Sequence, residues 1–338
     1  MDFLHNHDDV APANVQDAAV STGALPPADT VRRLLSETHE RLRGDESGEV
    51  ADYIPALASA DPDLFGLCLA DVHGAVASVG DAQVAFSIQS ISKAFVFALV
   101  DQHVGHDTVR RMVGVNNTGL PFNSVVAIEL NDGSPMNAMV NAGALATTAL
   151  VPGADADARW AFVLDGLSRF AGRELSVSED VYRSEMATNE RNRAIAVLLR
   201  SYGTLAADPD ETLDVYTRQC SVEITAEDLA VMGATLAGGG VNPRTRERVV
   251  EASVCRDTLA ALTSAGLYER TGDWLYEIGM PAKSGVSGGI VTVSPGKGAL
   301  GSFSPRLDAA GNSVRGQRAA HFLSGALGLN LFASRPAR

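Results

Sequence analysis

Residues 86–98, Phe86-Ser87-Ile88-Gln89-Ser90-Ile91-Ser92-Lys93-Ala94-Phe95-Val96-Phe97-Ala98, read as the end of a short strand that runs straight into an apolar helix. Ser90 and Lys93 stand three apart, so on a helix the amine lies one turn along the face that carries the hydroxyl. A serine hydroxyl is a poor nucleophile near neutral pH and needs an adjacent base, which a desolvated lysine supplies once it has lost its proton. The same spacing also suits a capping serine followed by a solvated lysine. The setting favours chemistry: Phe95, Phe97 and Leu99 follow, and the next charge is Asp101. A helix start also presents backbone N–H groups to a developing oxyanion.

Away from this stretch, composition narrows the classes of partner. The chain has 338 residues and is 46% hydrophobic, enough to bury roughly three quarters of its unfolded surface in one large unit or two interlocked ones. With 27 basic and 41 acidic residues the net charge is -14, which argues against nucleic acid or an anionic membrane as partner. Cys68, Cys220 and Cys255 form no Cys-x-x-Cys pair, and the seven histidines form no His-Glu-x-x-His motif. The expectation is reduced core thiols, no metal and no cofactor. The start, Met1 to Asp9, lacks the basic and apolar regions of a signal peptide, and no apolar run has membrane-spanning length. The expected compartment is therefore the cytoplasm.

Residues 1–28, rich in Ala, Asp, Asn and Pro, are expected to be a disordered extension. Val31, Leu34, Leu35, His39 and Leu42 recur at helical spacing, with Asp29 or Thr30 as cap. Phe65–Ala70 and Gly74–Val79, joined through Asp71-Val72-His73-Gly74, predict a hairpin. From the Ser90 helix to about residue 250 the pattern is mostly helical. Trp274–Met280, Gly289–Val293 and Gly298–Ser304 read as short β-type runs, and Phe322–Leu331 as a final helix.

Three further polar clusters stand out. In Asn137-Ala138-Met139-Val140-Asn141-Ala142-Gly143-Ala144, asparagine precedes a small-residue helix start and suits a cap. Ser184-Glu185 with Arg191-Asn192-Arg193 suits either a helix cap or groups that hold an ammonium and an amide. In Ala282-Lys283-Ser284-Gly285-Val286-Ser287-Gly288-Gly289 the glycines permit close approach of a ligand to a strand edge, or a plain bulge.

Taken in order, Ala51-Asp52-Tyr53-Ile54-Pro55, Gln89 to Lys93, Met139 to Ala144, Ser184-Glu185 with Arg191-Asn192, Tyr216 ahead of Cys220-Ser221, Tyr268, and Pro281 to Val286 resemble the serine-dependent glutaminases. That family is similar in fold to the serine β-lactamases and penicillin-binding proteins, and the resemblance runs from about residue 29 to about 325. It implies an α+β, β-lactamase/transpeptidase-like fold: an antiparallel sheet built from both chain ends, flanked by helices, with an inserted all-helical subdomain. The catalytic domain would span 29–330, with a sheet part at 29–92 and 255–330 and a helical part at 93–254. The implied activity is hydrolysis of L-glutamine to L-glutamate and ammonia through a serine acyl-enzyme. Ser90 would be the nucleophile and Lys93 its base, with Tyr268 assisting proton transfer. Asn141, Glu185, Asn192, Tyr216, Tyr268 and Val286 would line the glutamine site, Tyr53 and Gln89 its rim, and the N–H groups of Ser90 and Val286 the oxyanion hole. A homodimer or homotetramer is implied too. Ala138 stands where the family often has proline.

The substrate's chemistry agrees with these residue types. Glutamine presents a carboxylate, an ammonium and a neutral amide, and its pocket needs a carboxylate, amide or hydroxyl donors, and an oxyanion hole. Two rivals share features: a penicillin-recognising serine hydrolase, with the same Ser-x-x-Lys and Lys-Ser-Gly patterns, and a silent glutamine-binding scaffold.

Overall fold

The structure, a computed structural model, describes residues 24–333. The strands are β1 (Gly66–Asp71), β2 (Val76–Gly80), β3 (Phe86–Ser87), β4 (Glu223–Ile224), β5 (Ala282–Ser284), β6 (Gly289–Ser294) and β7 (Gly298–Phe303). Five of them make one antiparallel sheet in the order β2-β1-β7-β6-β5, so the two ends of the chain meet at the β1–β7 pair. The short β3 and β4 pair separately, Phe86 opposite Ile224. This is the α+β arrangement that the sequence leads one to expect, an antiparallel sheet flanked by helices.

Alternation along β1 separates the layers. Leu67 and Leu69 face a core shared with the helices Ala28–Leu42 and Val314–Ala326, whereas Cys68 and Ala70 face a second core shared with the helix Ala226–Ala237. With both faces covered, β6 and β7 are buried along their whole length. The hairpin forms where expected: the Asp71 carboxylate accepts from the His73 and Ala75 amides at 2.8 Å each, and Gly74 adopts φ 103°.

Between β2 and β5 the chain is largely helical. The helix Ser92–Val104 runs through the middle, with every residue from Ser92 to Asp101 buried, as its unbroken apolar sequence requires. All three cysteines are free and buried. No helix among the described residues is long and apolar enough to cross a membrane.

Some expectations need correction. Trp274–Met280 is no strand; a helix spans Thr271–Glu277. Trp274 and Ile278, four apart, reach the same core while Tyr276 is exposed, which is a helical period. The last helix is Val314–Ala326, starting eight residues before the expected Phe322. The first helix starts at Ala28, behind Pro27, without a side-chain cap from Asp29 or Thr30. Of the expected disordered extension, residues 1–23 lie outside the described residues, and Leu25 packs against the core under the sheet.

Candidate active site

Ser90 sits where three elements converge. The Ile88 amide donates to the Val222 carbonyl at 2.8 Å, continuing the β3–β4 contact, and a 3₁₀ turn over Gln89–Ile91 then leads into the helix that begins at Ser92. The serine is thus on the turn and the lysine in the first turn of the α-helix, a refinement of the single helix expected. Gln89 has φ 52°, a left-handed conformation that a non-glycine residue holds only under constraint. The constraint is visible: its side-chain nitrogen donates to Glu185 Oε1 at 2.6 Å and to Ser87 Oγ at 3.1 Å, and its carbonyl accepts from Ser92 Oγ at 2.8 Å. Between buried Gln89 and Ile91, Ser90 is left half-buried at a cavity.

Lys93 lies behind the cavity wall, 1% exposed. Its Nζ donates to Asn141 Oδ1 at 2.7 Å and to the Met139 carbonyl at 3.2 Å, both acceptors of neutral groups. Burial therefore lowers its pKa to about 7, opposed in part by Cys220 and Glu185. A second amine is close. Lys283 on β5, also fully buried, donates to the Ser284 carbonyl at 2.9 Å. Burial first and the Lys93 charge second hold it well below the ordinary lysine range. The Tyr268 ring is shared by both, its centroid 5.4 Å from Lys93 Nζ and 4.0 Å from Lys283 Nζ. Tyr268 itself has φ 56°, and its phenol is hydrogen-bonded with the Ser90 side chain. Burial raises that phenol's pKa.

Asn141 links the amine to the wall: besides accepting from Lys93, it donates through Nδ2 to Asn192 Oδ1 at 2.8 Å. The helix that it opens, Asn141–Ala149, follows the turn in which Asn137 Oδ1 accepts from the Met139 and Val140 amides at 2.9 and 3.2 Å. The helix has no side-chain cap: Asn137 holds the turn before it, and Asn141 faces the amine. Glu185 belongs to the helix Glu179–Ala187 and Asn192 to the next, Glu190–Ser201. Neither caps a helix. Burial raises the Glu185 pKa to about 7, opposed by the Gln89 hydrogen bond and then by Lys93.

One cavity of about 90 Å³ is lined by Tyr53, Gln89, Ser90, Asn141, Glu185, Asn192, Tyr216, Tyr268 and Val286, so these side chains, expected together from scattered motifs, do meet. Arg191 does not join them; its Nε donates to the Asn123 carbonyl. Other lining residues escaped the sequence reading. Phe122 packs against Tyr268 with ring centroids 5.1 Å apart, Cys220 and Ser284 form part of the wall, and Gly311 comes from the loop after β7. Phe122 and Gly311 stand in loops whose sequence gives no chemical signal, whereas Cys220 and Ser284 lay within segments that had already stood out.

The arrangement couples a serine hydroxyl, a phenol and a buried amine at one wall with a partly protonated carboxyl group and two amides around it. That is equipment for acyl transfer from a small polar substrate.

Comparison with known proteins points the same way. A family model described as Glutaminase matches residues 48–332. The chain is 56% identical over 317 residues to a Yersinia pestis protein named Glutaminase 2, covering 94% of this chain and 93% of that one. It is 50% identical over 308 residues to a Brucella suis Glutaminase, covering 91% and 97%. Among solved structures, one described as probable glutaminase ybaS superposes with a TM-score of 0.90 at 43% identity, over 91% of this chain and all of that chain. Another, described as Mglu in its glutamate form, gives a TM-score of 0.86 at 42% identity, over 90% and 71%.

Proposed function

The chain belongs to the glutaminase family and hydrolyses L-glutamine to L-glutamate and ammonia, and from that premise we propose that it does so through an acyl-enzyme on Ser90 with Lys93 as base. The observation that carries this reading is a fully buried Lys93, three residues after Ser90, whose only hydrogen-bond partners among the described residues are neutral acceptors.

In the first half-reaction Ser90 Oγ attacks the side-chain amide carbon, and its proton passes to the neutral amine, with the Tyr268 phenol in contact with the same oxygen. The tetrahedral oxyanion is held by the backbone N–H groups of Ser90 and Val286. When the carbon–nitrogen bond breaks, the proton goes to the leaving nitrogen and ammonia departs. Water then attacks the ester carbon, gives a proton to the same base, and the serine oxygen recovers it as glutamate leaves.

Glu185 receives the substrate ammonium, which draws its carboxyl into the charged form. Asn192 accepts from Asn141 and so keeps its own Nδ2 as a donor for the substrate carboxylate or amide, joined by Tyr53 and Tyr216 around the ligand. The polar side chains that line the cavity suit an amino-acid amide.

We read residues 29–330 as the catalytic unit, the cytoplasm as its compartment, and a homodimer or homotetramer as its assembly. Ammonia release from glutamine, assayed beside penicillin turnover, tests the function. Release of ammonia with no penicillin turnover is expected; a Ser90→Ala variant that still turns over at the wild-type rate overturns the mechanism.

A further inference from the structure

The helix that carries Lys93 ends in a second group of titratable side chains, eight residues and roughly 12 Å along the axis from the amine. Asp101 is 3% exposed, and among the described residues neither of its carboxylate oxygens has a hydrogen-bond partner. A buried carboxylate left in that state is costly and calls for an explanation. Gly105, at φ 86° and ψ 151°, turns the chain at the helix end, and His106 follows at once. His106 Nδ1 lies 3.0 Å from Asp257 Oδ2, on the neighbouring helix Ala252–Ala265, while the other Asp257 oxygen accepts from Arg256 Nε at 3.0 Å. One ligand atom from each of Asp101, His106 and Asp257 lies within 4.8 Å of the other two. All three line a cavity of about 280 Å³, distinct from the one at Ser90, with Phe97, Arg110 and Ser264 in its wall.

We propose that Asp101, His106 and Asp257 bind a divalent transition-metal ion of the zinc class. One imidazole and two carboxylates are the donor set of a borderline cation, whereas magnesium and calcium prefer oxygen throughout. The ion enters between His106 Nδ1 and Asp257 Oδ2 and gives the orphaned Asp101 carboxylate its partner. The cavity has room for the waters that complete the coordination, at roughly 30 Å³ each, and Arg256 remains on the outer oxygen of Asp257 to orient it. No step of glutamine hydrolysis passes through the ion. Its effect is mechanical: it ties the end of the helix that carries Lys93 to the helix Ala252–Ala265, and by binding the folded chain alone it stabilises it.

The test uses the untagged full chain with His5→Ala and His7→Ala, which removes two imidazoles at the terminus that offer zinc another site. After stripping with a chelator, calorimetry with zinc chloride should show one equivalent per chain, and thermal unfolding should move upward. Magnesium chloride at the same concentration should do neither. His106→Ala, at a half-exposed position, should weaken zinc binding at least tenfold and abolish the thermal shift. Its metal-free ammonia release should be unchanged. Asp101→Asn should weaken binding likewise. Absence of stoichiometric zinc binding, or an affinity unchanged in His106→Ala, overturns the proposal.

Discussion

At the scale of single residues the proposed chemistry rests on two groups whose pKa values burial moves in opposite directions to the same place. Lys93 falls to about 7 and Glu185 rises to about 7. On the proposed mechanism the free enzyme needs the lysine neutral and the glutamate ionised, and both states are gained as pH rises. The acid limb of kcat/KM should therefore climb through about pH 7 with a slope approaching two on logarithmic axes. Once the substrate ammonium is seated, Glu185 is held ionised, so kcat should climb with a slope of only one. In Glu185→Gln the kcat/KM limb should flatten to a slope of one, with KM raised roughly tenfold or more. A slope of two persisting in that variant would sink the assignment of Glu185. Because the two groups interact, the apparent values belong to the pair. Ser90→Ala should lose on the order of a thousandfold or more in turnover while glutamine still binds by calorimetry, because the hydroxyl carries the bond and little of the binding. Lys93→Ala and Tyr268→Phe separate the two proton carriers: if Lys93→Ala retains high activity with the rising limb in place, the phenol is the base.

Elements matter because they bring these residues into register. The helix Asn141–Ala149 can place Asn141 against Lys93 only because residue 143 has no side chain: a Cβ there would stand 1.7 Å from the Asn137 carbonyl oxygen. Gly143→Ala must push the helix start away from that turn. It should lower the melting temperature and reduce kcat at least tenfold, and a variant with wild-type kcat would show that the Lys93–Asn141 bond is dispensable. The sequence made the same element legible as a helix start, but not its contacts. Legibility failed elsewhere for identifiable reasons. The beginning of the helix Val314–Ala326 is hidden by polar letters, since Arg315 is almost wholly buried and donates to the carbonyls of Asp45, Pro62 and Asp63. Nothing local announces an arginine that holds a loop from inside. Trp274–Ile278 is too short for periodicity to separate helix from strand. Gln89 and Tyr268 could be picked out by motif, yet their left-handed backbones, which turn Ser90 and the phenol toward each other, depend on contacts from Glu185 and Thr271 that only the assembled fold supplies.

For the whole molecule the site is a cost that the rest of the fold offsets. Two lysines, Lys93 and Lys283, lie fully buried between the sheet edge β5 and the helical block, among the large side chains most completely removed from solvent. In the unfolded chain a lysine keeps its proton up to about pH 10.4, whereas folded Lys93 releases it near 7. Between those values the unfolded state binds more protons, so stability rises with pH across the window; below about 7 both states are protonated and the full penalty of a buried charge is present. Glu185 acts over the adjoining range with the opposite sign: its raised pKa makes stability fall as pH climbs from its ordinary range to about 7. These two groups thus place their combined minimum of stability near neutrality. Lys93→Met removes the first contribution and spares Lys283 the nearby charge that helps depress it. It should therefore melt above the wild type at pH 7 despite leaving Asn141 and the Met139 carbonyl without their donor. The advantage should shrink by on the order of 5 °C by pH 10, as the wild-type penalty disappears. Calorimetric melting of both proteins at each half unit of pH measures the difference directly. A gap that stays constant from pH 7 to 10 would mean that Lys93 titrates alike in the folded and unfolded chains, and a lysine of that kind could not serve as the base.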